Sequence, residues 1–264
     1  MFGGKVEYTT PTINMEKFKS YSENVIFGSR AIIEAIKANK EVDKILIQHG
    51  LHNDLFKELM GLIKERNIPY QFVPVEKLFK LNKKNHQGVA AYISEIEYSK
   101  TEQIISGIYE KGKDPLLLIL DRVTDVRNFG AIARTAECAG VDAIIIPSRG
   151  AAQVNGDAIK TSAGALHKIP VCREDNLKET IHYLKDCGIK IIGCTEKTDK
   201  LMYQVNMRGP LCIIMGSEEN GISGEYLKLC DDRAKIPMFG TIESLNVSVS
   251  AALVIYESIR QSTL

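Results

Sequence analysis

The chain has 264 residues, 44% hydrophobic and 25% charged, with a formal net charge of +1. This is enough for one large or two modest domains, and it excludes a polycation, so a nucleic-acid partner would need a local basic patch. No apolar run can cross a bilayer and the first residues lack a secretory apolar core, which predicts a cytoplasmic protein. Residues 1–22 are polar, without sustained periodicity, and are read as a flexible tail. From residue 23 to 94, strand and helix patterns alternate. Helical faces appear at Ala31, Ile32, Ala35 and Ile36, and again at Leu55, Phe56, Leu59, Met60 and Ile63. Short strands fall at 44–48, 70–73 and 88–93. This alternation predicts a small α/β sandwich. Its most basic stretch, residues 77–88, carries four lysines and a histidine. Lys80, Lys83, Lys84 and His86 are candidate RNA contacts, with a solvated loop as the plainer alternative.

Residues 95–113 are charged and short of large apolar side chains apart from Ile104, Ile105, Ile108 and Tyr109, and read as a linker that can hold one helix. The second domain, 114–264, opens on the apolar run 116–120, typical of a buried parallel strand. Strand and helix patterns, among them a helix over 130–139 and a short strand at 168–171, alternate to the end, predicting a mostly parallel open sheet. The six cysteines all lie in this half and none forms a CxxC pair. Reduced thiols therefore fit better than disulfides, and no ligand spacing argues for a metal.

Three apolar strands run into polar, Gly-bearing loops: 116–120 into 121–130, 211–215 into 216–221, and 234–237 into 238–246. In a parallel sheet such loops gather at the carboxyl edge, where ligands bind. Neither a GxGxxG fingerprint nor a P-loop is present. After the last loop, residues 244–250 alternate small polar and apolar side chains, then pass into helical spacing. They are read as the entry and first turns of a C-terminal helix, whose free amides suit a polar ligand, or are simply capped.

Three motifs in this order, NFGAIARTAECAG from Asn128, IIMGSEENGIS from Ile213 and IPMFGTIESLNVSVSAAL from Ile236, resemble the SpoU (TrmH-type) branch of the SPOUT methyltransferases. In the first domain, VIFGSRAIIEAI and NHQGVAAY resemble the L30e-like substrate-binding domain that often precedes it. The resemblance implies an L30e-like α/β sandwich, then a SPOUT open parallel sheet with a C-terminal trefoil knot, in a homodimer. It implies S-adenosylmethionine as donor and an RNA ribose 2′-hydroxyl as acceptor, in the subgroup acting on guanosine of large-subunit ribosomal RNA. Carried over position by position, the catalytic set is Asn128, Arg134, Glu218, Ser244 and Asn246. The cofactor set is Gly193, Thr195, Gly216, Ile236, Met238 and Leu245. Ribose methylation of transfer RNA and a non-catalytic RNA-binding assembly factor are the competing readings.

Overall fold

The computed structural model describes residues 24–82 and 86–263; the expected tail and the candidate contacts Lys83 and Lys84 lie outside them. The first sheet is formed by β1 (Val25–Phe27), β2 (Val42–Gln48), β3 (Tyr70–Val73) and β4 (Val89–Ile93), in the order β1-β4-β2-β3. β2 and β3 run parallel, and β4 runs antiparallel to both β1 and β2. The two-residue period of β2 decides its packing. Ile45 and Ile47 join Ile32, Ile36, Leu59 and Ile63 beneath α1 (Ser29–Lys37) and α2 (Asp54–Glu65). Leu46 joins Leu78 of α3 (Val75–Leu81) on the opposite face.

Residues 95–113, read as a linker, are packed structure. Ser99 bridges to Cys172, and α4 (Thr101–Glu110) buries Ile105 and Ile108. The charge of this stretch masked a narrow apolar face. The second sheet holds β5 (Leu116–Asp121), β6 (Ala143–Pro147), β7 (Val171–Glu174), β8 (Lys190–Cys194), β9 (Leu211–Gly216) and β10 (Asp232–Ala234). All six run parallel, in the order β10-β8-β9-β5-β6-β7. Both faces are covered, which is why these strands are apolar throughout. Leu118, Leu120, Ile213 and Met215 face α5 (Val126–Cys138), α6 (Gly156–Thr161) and the C-terminal α9 (Val247–Ser262). Leu117, Ile119, Cys212 and Ile214 face α4, α7 (Leu177–Asp186) and α8 (Gly224–Leu229). Each fully buried Ile or Leu is worth about 1.5–3 kcal/mol relative to an exposed one.

Three boundaries differ from the sequence expectation. α5 starts at Val126 rather than Gly130, because the Asp125 carboxylate accepts from the backbone N–H groups of Arg127 (2.9 Å) and Asn128 (2.8 Å). Asn128 therefore sits in a first helical turn rather than in a loop. Gly130 serves a close helix crossing, since a Cβ there would lie 2.7 Å from the Ala158 carbonyl oxygen. The last strand ends at Ala234, before Pro237, which has no N–H to donate. Residues 168–171, read as a strand, follow a short 3₁₀ turn at Ala165–His167, and β7 begins only after Pro170.

One buried network joins the two sheets. The Arg173 guanidinium donates to Asp43 (3.1 Å) and Glu41 (3.3 Å) and lies 4.1 Å from the Tyr98 ring centroid, while the Tyr98 hydroxyl donates to Asp43 at 2.7 Å. Burial nevertheless outweighs these partners and pushes the Asp43 carboxyl from 3.8 up to about 6. A raised carboxyl favours the protonated folded state, so this contribution is fully present below about pH 4 and is lost as pH rises through about 6. The Asp43→Asn variant should lack that dependence. In urea unfolding, wild type should lose up to about 3 kcal/mol relative to the variant between pH 4 and pH 7. A constant difference across that range would show that Asp43 is ionised throughout.

Candidate active site

The carboxyl ends of β8, β9 and β10 open around a cavity of about 400 Å³. Thr195, Gly216, Glu218, Ile236, Met238, Ser244 and Leu245 all line it, drawn from loops far apart in sequence. Gly216 is where two backbone segments nearly touch: a Cβ there would lie 2.0 Å from the Gly221 carbonyl carbon and 2.2 Å from the Ile222 nitrogen. The 217–221 loop can fold back over the strand end only because that side chain is missing. Thr195 is 7% exposed, and its N–H donates to the Ala234 carbonyl at 3.0 Å, tying the cavity floor to β10. Gly193 does not line the cavity; its missing Cβ makes room for the Cys230 sulfur, which would lie 3.0 Å from a Cβ placed there.

Beside the cavity, two side chains and one backbone N–H meet on one carboxylate oxygen. Glu218 Oε1 accepts from Asn246 Nδ2 (2.8 Å), Asn128 Nδ2 (3.2 Å) and the Val247 backbone N–H (3.2 Å). Asn246 Nδ2 also reaches Asn128 Oδ1 at 3.0 Å. The Asn246 carboxamide caps α9, its oxygen accepting from Ser248 N–H at 2.9 Å. Glu218 is thus a carboxylate held at a helix N-terminus, where the helix dipole favours negative charge. It belongs to a longer loop clamp that the sequence reading missed. Asp121, 2% exposed, accepts from Ser223 N–H (2.6 Å) and from Arg122 (2.9 and 3.1 Å), and Arg122 also donates to the Gly221 carbonyl at 3.2 Å. The Asp121 carboxylate holds the Arg122 guanidinium above its usual range. The signal available in the sequence was a carboxylate ending an apolar strand.

The remaining candidates stand apart from this cluster. Arg134 lies six residues beyond Asn128 on α5, roughly 9 Å along the axis and about 240° around it. It is exposed and makes no hydrogen bond or ion pair among the described residues. Lys80 is exposed on α3. His86, a candidate RNA contact, is only 6% exposed: its Nδ1 accepts from Gly88 N–H at 3.0 Å, and its ring packs edge-on against Phe79. Its Nδ1 staples the turn. Near the cavity, burial pushes the Cys194 thiol up to about 12, so it stays protonated and does not act as a nucleophile.

Comparison with known proteins identifies the family. Residues 115–256 match the SpoU rRNA Methylase family, and residues 25–99 match an RNA 2′-O ribose methyltransferase substrate-binding domain. A Staphylococcus saprophyticus protein assigned as a TrmH family tRNA/rRNA methyltransferase is 38% identical over 239 residues, covering 90% of this chain and 96% of its own length. The SpoU methyltransferase AviRb from Streptomyces viridochromogenes, solved with AdoMet, shares the fold with a TM-score of 0.58 at 22% identity, over 94% of this chain and 97% of that one. The A. aeolicus TrmH/SpoU tRNA modifying enzyme aligns with a TM-score of 0.51 at 26% identity, over 61% of this chain and 83% of its own. The chain belongs to the SpoU (TrmH-type) family of RNA methyltransferases.

Proposed function

We propose that this protein methylates a ribose 2′-hydroxyl in RNA with S-adenosylmethionine as donor, its substrate being a guanosine of large-subunit ribosomal RNA. The observation that carries this reading is the Asn128–Glu218–Asn246 network on the rim of a cavity that closes over Gly216. The cavity volume lies in the range of cofactor pockets, and its wall of loops with a missing side chain at Gly216 suits a ligand gripped largely by backbone groups. Gly216, Ile236, Met238, Leu245 and Thr195 would hold the cofactor, which supplies an electrophilic methyl on a sulfonium. Gly193 supports the pocket from behind.

The protein's own task is to place the hydroxyl in line and manage its proton. The O–CH₃ bond forms as the S–CH₃ bond breaks, and the hydroxyl proton leaves to water or a flanking phosphate. Asn128, held by Glu218 and Asn246, presents its remaining amide hydrogen and lone pair to the ribose, while Asn246, its own donors and acceptors all engaged, fixes that geometry. Ser244 borders the same space. Arg134 cannot take the proton, since a guanidinium stays charged. It would instead bind the phosphate and stabilise the developing alkoxide.

Its distance from Asn128 suits the homodimer of this reading, in which a second copy completes the site. α9 leaves Val249, Leu253 and Tyr256 exposed at 38–49%, spaced i, i+4, i+7, as one apolar stripe. The trefoil knot and the cytoplasmic location belong to the same reading. The separate first sheet favours ribosomal RNA over transfer RNA: the A. aeolicus tRNA enzyme aligns with only 61% of this chain, too little for both sheets.

The test is Arg134→Ala assayed with labelled S-adenosylmethionine on ribosomal and transfer RNA. Turnover should fall at least about 10²-fold with cofactor affinity within about threefold of wild type. Wild-type turnover would remove Arg134 from the mechanism, and label in transfer RNA alone would move the substrate.

A further inference from the structure

A second cleft, of about 700 Å³, lies between the two sheets. On one side are Lys44, Tyr70 and Gln71, at the starts of β2 and β3. On the other are Thr124 and the turn carrying Arg149. Its charge is one-sided. The one carboxylate on its wall, Asp43, is already engaged by Arg173 and the Tyr98 hydroxyl. The Lys44 ammonium has only a neutral partner, the Gln71 side-chain oxygen Oε1 at 2.8 Å, and makes no ion pair among the described residues. Burial, and then repulsion from Lys77, pull its proton affinity below the usual lysine range. Arg149 is exposed and makes no hydrogen bond or ion pair among the described residues.

The cleft also leads to the candidate active site. Thr124 borders both it and a smaller cleft lined by Asn128, Glu218 and Val247. The Arg149 turn is tied to the same loop, since Ala152 N–H donates to the Val123 carbonyl at 2.9 Å. An occupant of the large cleft would reach the Asn128–Glu218–Asn246 cluster through this smaller cleft, whose wall also carries the carboxylates Asp125 and Glu219, so its phosphates would be held in the large cleft rather than at the cluster.

We infer that this cleft is a phosphodiester-binding track, in which Lys44 and Arg149 hold backbone phosphates of the RNA strand flanking the methylated nucleotide. The inference rests on the RNA methyltransferase reading above and adds to it a path for the substrate. Phosphate contacts of this kind set register and orientation without reading sequence. Tyr70, 38% exposed at the mouth, offers a ring on which an unpaired base can stack. Two cations without carboxylate partners in a wet cleft suit a polyanion. An acidic protein is the competing occupant, and the test treats it as an outcome.

The experiment uses the full-length protein and its Lys44→Gln/Arg149→Gln double variant, both exposed enough to leave the core intact. Binding of labelled total ribosomal RNA from a strain lacking the gene is titrated from 50 to 200 mM salt, alongside cofactor affinity and methyl transfer. Losing two phosphate contacts should reduce the slope of log K against log salt by about 1.4. The wild type's advantage over the variant should then shrink about sevenfold across that salt range. Cofactor affinity should not change. If wild type methylates RNA while the double variant keeps its slope and affinity, the track is overturned and the enzymatic reading stands; the cleft is then open to an acidic protein. If wild type neither binds nor methylates RNA, the enzymatic reading falls and takes the track with it.

Discussion

Replacing Gly216 with alanine should abolish methyl transfer and destabilise the protein more than any other single-methyl change at the site. The added Cβ would sit 2.0 Å from the Gly221 carbon and 2.4 Å from its oxygen, well inside van der Waals contact. These are backbone atoms, so no rotamer change relieves the clash. The loop must open instead. Opening breaks the Gly221 N–H to Ser217 carbonyl bond (2.9 Å) and strains the Arg122 and Ser223 contacts that clamp the loop to Asp121. A core overpacking costs about 1–3 kcal/mol, and a backbone collision with lost hydrogen bonds exceeds that. A fall in melting temperature on the order of 10 °C is expected. Cofactor affinity should drop at least about 100-fold, because the same loop walls the cavity. Gly224→Ala is the control, as its Cβ would meet nothing within 4 Å. Calorimetric melting and cofactor titration of the two variants separate loop closure from glycine flexibility. Equal behaviour would refute the close-approach argument.

The second large effect concerns Glu218, and the comparison of Glu218→Ala with Glu218→Gln carries the information. Alanine leaves Asn246 Nδ2, Asn128 Nδ2 and Val247 N–H without their shared acceptor. The cluster is exposed, so water replaces much of the lost bonding and stability should fall by only about 1–2 kcal/mol. Activity is more sensitive than stability, since a displacement near 1 Å in a positioning group costs about 10²-fold in rate. Glutamine keeps an oxygen in place for at least two of the three donors. If Glu218 positions the two asparagines, the glutamine variant should retain at least tenfold more kcat than the alanine variant, with KM for RNA little changed. If Glu218 accepts the ribose proton, the two variants should be equally inactive.

The site was legible in the sequence because its residues follow strand ends. Gly216, Glu218 and Asn246 each come just after a buried apolar run or just before a helix, and the parallel sheet collects such positions at one edge. Asn128 was expected in the loop after β5, whereas the Asp125 cap extends α5 backwards by one turn to include it. The Asp121–Arg122 clamp was not legible. It depends on Arg122 adopting a left-handed backbone (φ 59°), which no neighbouring glycine advertises. His86 has a structural task that the sequence did not show: a histidine among lysines reads as an RNA contact, and the fold uses its Nδ1 to accept from a turn amide. The helix α4 was allowed for in the sequence, but its packing was not, since only Ile104, Ile105 and Ile108 mark its packed face among polar neighbours. The latch from Arg173 to Asp43 joins residues 130 apart, a pairing that only the tertiary structure reveals.

The central claim is tested most directly by incubating the purified protein with methyl-labelled S-adenosylmethionine and deproteinised large-subunit ribosomal RNA from a strain lacking its gene. The RNA is then digested to nucleosides and the label located. The account predicts label in a single 2′-O-methylguanosine. Label on a base, or no transfer to any RNA by a protein that binds the cofactor, would contradict it.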